Sequence, residues 1–205
     1  MLANVKIFKA MDKTAFIKTY SATKRNEIQV VGSITIVVFN EIFHKDTGMY
    51  EYVECSANTE NFDYKSVCAA YEAWKRERFN AQLSFAKQLK IAEIDAYDTS
   101  PAVNGFALNG TVVWLDKATR VGLMNSTSIT KAMGQPTTTL WLGESEMEVP
   151  CDTAIQLLSA LEMYALECFN VTAAHKKAVS ELTSIEEVEK YDITAGYPAQ
   201  LKMEV

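Results

Sequence analysis

Cys168 and His175 stand seven residues apart in a stretch that reads as one helix, and together they are a first candidate for a metal-ligand or nucleophile–base pair. Two turns along a straight helix separate two side chains by ~10.5 Å, too far to share one ion or one hydrogen bond. His175 therefore reads as a structural histidine of a core or an interface, its ring nitrogens satisfied locally. Glu162 and Glu167 on the same helix could in principle do acid–base chemistry. A five-residue step sends them to different faces, which makes them solvated surface. Asp116 and Arg120 have the i,i+4 spacing of a helical ion pair, worth roughly a few tenths of a kcal/mol. If Arg120 were buried instead, it would need a stacked or bidentate partner.

Other chemistries lack their residues. The chain has eight glycines and neither GxGxxG nor GxxxxGK[ST], so no phosphate-cradling loop is expected. Cys55, Cys68, Cys151 and Cys168 form no CxxC pair, and isolated buried thiols fit a reducing cytosol. The sequons at Asn125 and Asn170 fall inside expected helices. No catalytic residue, metal or cofactor is expected, and the chain is read as a non-enzyme.

Charge narrows the partners. The net charge is −6 and the pI about 5.1, which argues against a nucleic-acid binder. Residues 140–205 hold 4 basic and 12 acidic groups, while residues 1–139 are nearly balanced. Lys75, Arg76 and Arg78, interleaved with Trp74 and Phe79, read as a solvated helix face. "MLANVKIFKAMDK" lacks a long apolar core and a cleavage site, so no targeting segment is expected. "ITIVVF" at residues 34–39 is far too short to cross a bilayer, and no membrane contact is expected.

The elements that must position these residues follow from periodicity. Residues 1–62 read as a small antiparallel β domain: "EIQVVGSITIVVFNEIF" and "DTGMYEYVECS" as strands, "TAFIKTYSA" as a shorter one, and His44–Gly48 as a hairpin loop. Residues 63–97 read as one connecting helix about 50 Å long, capped by Asn61 or Asp63. A break near Asn80 would make it two. Val67, Tyr71, Trp74, Ala81, Phe85, Leu89 and Ala92 form one stripe on it. Val67, Tyr71, Trp74 and Phe85 are its expected interface residues, because so long a helix suits an oligomer seam.

Residues 98–205 read as an α+β domain of two β-hairpins packed with helices. Pro101 ends the long helix. Asn109-Gly110 supplies the two positive-φ residues of a type I′ turn, with Phe106, Leu108, Val112 and Trp114 alternating around it. Asp116 caps a helix to Met133, with Gly134 as its stop. "TTTLWL" turns at Gly143 into "EMEVP", and the two hairpins are expected to join in one antiparallel sheet. Asp152 is expected to cap the next helix, to about Leu182, with Leu157, Leu161, Tyr164, Cys168, Val171, His175, Ala178 and Leu182 as a coiled-coil-like seam. Thr183 or Ser184 caps a short helix, "IEEVEK", before a tail packed back by its aromatics. Trp114, Trp141, Tyr164 and Phe169 read as large core fillers.

This order of pieces carries a resemblance. The helix, the asparagine–glycine hairpin, "WLDKATR", "TTTLW" and "LLSALEMYALECFNVTAAH", across residues 86–198, resemble a domain family of unknown function that recurs in phage and prophage proteins, commonly beside tail or tail-fibre genes. The resemblance implies no catalytic residue. It implies a virion structural component, tail or tail-fibre associated, acting by protein–protein contacts with other phage structural proteins and with itself as a homo-oligomer. A tail-fibre assembly chaperone absent from the finished particle is the alternative. A cell-wall-acting enzyme is the third reading, and it would need paired carboxylates across a cleft.

Overall fold

The computed structural model describes residues 4–12, 28–31, 34–142 and 145–204. The strand expected over residues 14–22 and the turn at Gly143 lie outside them. The fold is α+β. The chain divides into two units, residues 1–82 and 83–205, and the division falls within the long helix α1 (Tyr64–Asp98) rather than at its ends.

The first unit is an antiparallel sheet of β1 (Asn4–Asp12), β2 (Ile28–Val31), β3 (Ile34–His44) and β4 (Met49–Asn58), in the order β1-β4-β3-β2. β1 is a strand the sequence reading leaves unassigned. The β3–β4 hairpin turns where expected. Gly48 has φ +68° and its N–H donates to the His44 carbonyl at 2.8 Å. The apolar run of β3 is explained by burial on both sheet faces. Val37 and its partner Cys55 lie on one face, Val38 and its partner Glu54 on the other, and all four are buried.

α1 is one unbroken helix. Asp63 is its cap, accepting from the backbone N–H groups of Lys65 at 3.2 Å and Ser66 at 3.1 Å. Val67 and Tyr71 pack with Val37, Val53 and Cys55. The expected stripe does not stay buried beyond them. Phe85 is 62% exposed and Leu89 51%, whereas Ile94, fully buried, lies on a different helical face.

The second unit holds the core formed around α3 (Cys151–Glu181), with Tyr97 of α1 and Leu123 and Met124 of α2 (Lys117–Ala132) packed against it, and α4 (Ile185–Lys190) follows α3 in the chain. The Asn109-Gly110 hairpin is formed as its sequence demands. Asn109 has φ +47° and Gly110 φ +81°, and Phe106 of β5 (Phe106–Leu108) pairs with Val113 of β6 (Thr111–Val113). The two hairpins do not join, however. Among the described residues β7 (Thr137–Leu142) and β8 (Ser145–Pro150) pair only with each other, and the free edge of β5 is taken in parallel by β9 (Lys202–Met203). Leu201 and Met203 carbonyls accept from the N–H groups of Ala107 at 2.8 Å and Asn109 at 3.0 Å. An edge already paired cannot admit β7.

α3 starts without the expected cap. Pro150 stands at the capping position with no side-chain bond, because β8 runs straight into the helix. Asp152 lies inside the first turn and pairs with Lys131. Ser184 caps α4 in a full capping box with Glu187. The expected seam on α3 is the core of this unit. Ala154, Leu157, Leu158, Leu161, Tyr164, Cys168, Thr172, His175 and Val179 are buried, with Thr172 and Val179 in place of Val171 and Ala178.

Candidate functional site

The hairpin delivers Trp114 and Leu115 to the start of α2, and the first turn of that helix then sets Arg120. Asp116 does not pair with Arg120. Its carboxylate accepts from the Thr119 N–H at 2.9 Å and the Thr119 hydroxyl at 2.8 Å. The backbone bond, then the hydroxyl, hold Asp116 below the usual carboxylate range. Capping claims both of its oxygens, so the i,i+4 neighbour finds other partners.

Those partners meet the condition set by burial. Arg120 is only 7% exposed. Its guanidinium lies 5.2 Å from the Trp114 ring centroid. Nη1 donates to the Leu115 carbonyl at 2.6 Å and Nε to Glu162 Oε2 at 2.7 Å. Glu162, read from spacing as solvated surface, is therefore the counter-charge of a buried arginine. Near the other end of α2, Lys131 pairs with Asp152, so α2 and α3 lie antiparallel, clamped at two places.

His175 is satisfied locally. Its Nε2 and the Ala195 carbonyl are 2.8 Å apart, and a carbonyl only accepts, so Nε2 carries the proton. In the neutral ring Nδ1 then accepts from the Tyr191 hydroxyl, also at 2.8 Å. One turn earlier, Thr172 donates to Asp98 at 2.6 Å and lies 2.8 Å from the Tyr197 hydroxyl, which in turn donates to it. This network ties the tail after α4 to α3 and α1. Cys168 is buried one turn from Thr172, its thiol pushed up by burial.

Of the four residues expected at an interface, Val67, Tyr71 and Trp74 lie in the first unit and Phe85 in the second. Val67 and Tyr71 are buried within the first unit, the Tyr71 ring stacked on Phe39 at 4.2 Å. Trp74 is half-buried, with Arg78 5.5 Å from its ring. Phe85 is exposed. Two expected core fillers are also on the surface: Trp141 is 56% exposed and Phe169 66%. On β7 the alternation places Leu140 in the core and sends Trp141 outward.

Exposed apolar side chains are spread over several elements, α2 and α3 among them. Val121, Ile129 and the adjoining Met133 are exposed along α2; Met163, Leu166 and Phe169 along α3. The signal was present in the sequence. Between Lys117 and Lys131 the one charged residue is Arg120, so the outer line of α2, Ala118, Val121, Gly122, Asn125, Ile129 and Ala132, carries no charge.

Among the described residues no cluster of three His, Cys, Asp or Glu is placed to hold a metal ion, and no helix is long and apolar enough to cross a membrane. No curated protein and no solved structure matches this chain. A family model for a domain of unknown function, DUF4376, matches residues 85–195, the stretch that contains the hairpin, the Arg120–Glu162 pair and the His175 network, and by that match over more than half its length the chain belongs to the DUF4376 family.

Proposed function

We propose that this protein is an assembly component of a bacteriophage particle, tail or tail-fibre associated, and that it acts by protein–protein contacts. The observation that carries the contact part is the uncharged outer line of α2 with the exposed Val121, Ile129, Met133, Met163, Leu166 and Phe169. An uncharged helix face that carries exposed large apolar side chains supports a surface that a partner covers. The phage part rests on the resemblance of residues 86–198 to a domain recurring beside tail genes. Its partners are other particle proteins and a second copy of itself, with neither nucleic acid nor membrane.

Two measurements test the reading. Mass spectrometry of purified virions should find the chain at a fixed ratio to tail proteins; absence from particles that were assembled in its presence removes the structural role. Light scattering at several concentrations should give a stable oligomer. A concentration-independent monomer would remove self-association.

A further inference from the structure

β7 is an edge strand of uncommon composition. Its six residues, TTTLWL, are threonine, leucine or tryptophan, and none is charged. Among the described residues it pairs with β8 alone. Which main-chain groups stay open follows from the ladder. The Cys151 N–H donates to the Pro136 carbonyl at 3.0 Å, so that pair is a hydrogen-bonded position. In an antiparallel ladder such positions alternate with non-bonded ones. Thr138, Leu140 and Leu142 therefore bond to β8, and Thr137, Thr139 and Trp141 turn their N–H and C=O groups to the outer edge. The side chains of these three residues share the outward face of the sheet. Thr139 is exposed and Trp141 largely so, while Leu140 between them is buried.

An open edge is a template for another strand, and proteins ordinarily block it with charge, proline or a bulge. β7 has none of these, and its register with β8 runs without a shift. The opposite edge is blocked. β8 presents Glu146, Glu148 and Pro150 there, so a copy of itself would bring carboxylates together and meet a residue with no N–H. Charge favours the same choice. Residues 140–205 hold 12 acidic groups, yet none of residues 117–143 is acidic, and Arg120 and Lys131 within that span are already paired. Two copies of an acidic chain can approach there without bringing carboxylates together. We propose that β7 is a self-association edge: β7 of a second copy pairs with it antiparallel about a two-fold axis, joining the two hairpins in one sheet. An axis perpendicular to the sheet keeps both core faces on one side, so odd-numbered residues meet odd-numbered ones. Thr139 opposite Thr139 of the second copy uses all three open positions and sets Trp141 opposite Thr137, an aromatic and β-branched pair. Such an interface is isologous and closes at two copies. The inference rests on the contact reading above and names the surface for self-association.

The test is amide exchange by NMR on the whole chain at low and high concentration, beside light scattering. A dimer should form as concentration rises, and protection of the Thr137, Thr139 and Trp141 amides should grow by about tenfold or more, while Thr138 and Leu140 stay protected throughout. Thr139→Lys sets like charges opposite each other on the axis and should raise the dissociation constant about tenfold; Thr139→Asp should do the same. An equimolar mixture of the two variants should dimerise again, because the axis then joins opposite charges. A monomer at every concentration overturns the proposal. So does a dimer whose new protection falls outside those three amides, a Thr139→Lys protein that dimerises as before, or a mixture that stays monomeric. Should either variant fail to fold, the exchange pattern of the natural protein decides alone. The particle reading fails separately: a protein missing from virions that still dimerises through β7 loses its place, not its edge.

Discussion

Arg120 of α2 and Glu162 of α3 stand 42 residues apart in the chain and 2.7 Å apart in space, and the arginine is buried while the glutamate keeps nearly half its side-chain surface in water. The asymmetry decides what each deletion costs. Glu162→Ala leaves a buried guanidinium without its carboxylate and should lower stability by about 1–3 kcal/mol, short of the loss for a fully buried pair because water can reach part of the gap. The double variant Arg120→Met/Glu162→Leu should recover most of that loss. Urea unfolding of the two variants checks both; a double variant no more stable than Glu162→Ala would mean the pair itself is net stabilising.

Two glycines should respond in opposite directions. Gly110 has φ +81°, so Gly110→Val forces a β-branched residue into the left-handed region and should cost roughly 1–3 kcal/mol, although open space surrounds the position. Gly122 lies in α2, where an added methyl would meet nothing within 4 Å, and Gly122→Ala should stabilise by about 0.5–1 kcal/mol through helix propensity. Thermal melts of both variants test the signs.

The tail depends on α3. His175→Ala removes the acceptor for Tyr191 and the donor to Ala195 together, and should cost about 2–3 kcal/mol. Amide exchange should rise first across residues 191–203, before the hairpin at Asn109. Tyr197→Phe deletes a single bond to Thr172 and should cost only about 1 kcal/mol. Exchange that rises uniformly over the second unit would remove the tail-specific role.

Acid should act through the caps. Asp116 and Glu187 are both held below the usual carboxylate range, Asp116 first by the Thr119 backbone bond and Glu187 first by the Ser184 hydroxyl. A depressed carboxylate contributes stability that is present above its unfolded value and lost as pH falls through its folded value. The stability gap between the natural protein and Asp116→Asn should thus be open at pH 7 and narrow in acid. A gap that widens in acid contradicts the capping geometry.

Alkali should act through Cys55. Burial, with Cys68 and Glu54 adding, pushes its thiol from 9.0 up to about 11. The folded protein holds this proton more tightly than the unfolded chain, so the contribution is intact below pH 9 and is lost as pH rises toward 11. Cys55→Ala should be less stable at pH 7 for want of packing, and its stability should fall less steeply over the alkaline limb. Chemical unfolding at pH 8 and pH 10.5 separates the two effects, and parallel slopes for the two proteins would show that Cys55 does not titrate late.

Sequence alone determined the features whose physics is local. Asn109-Gly110 requires a tight hairpin because two consecutive positive-φ positions admit little else. Asp63, Asp116 and Ser184 mark helix starts because each side chain reaches N–H groups two or three residues on. His175 could be excluded from pairing with Cys168 by helix geometry, and the α+β class followed from the alternation of periods. Asp152 misled because the same residue type is stable both at a cap and inside a first turn; the choice fell to Pro150, which carries β8 directly into α3.

Tertiary structure decided which faces find partners. A stripe of apolar residues states that a face can be buried, not that neighbouring elements exist to bury it, so Val67 is covered while Phe85, Trp141 and Phe169 stay in water. The separation of the two sheets depends on β9, a two-residue strand nearly a hundred positions from the β5 edge it fills. The Arg120–Glu162 pair arises only where α2 and α3 run antiparallel, and no spacing in the sequence encodes that contact. Caps and turns are set by bonds within a few residues; sheet edges and buried ion pairs are set by long loop closures that become favourable only once the core has formed.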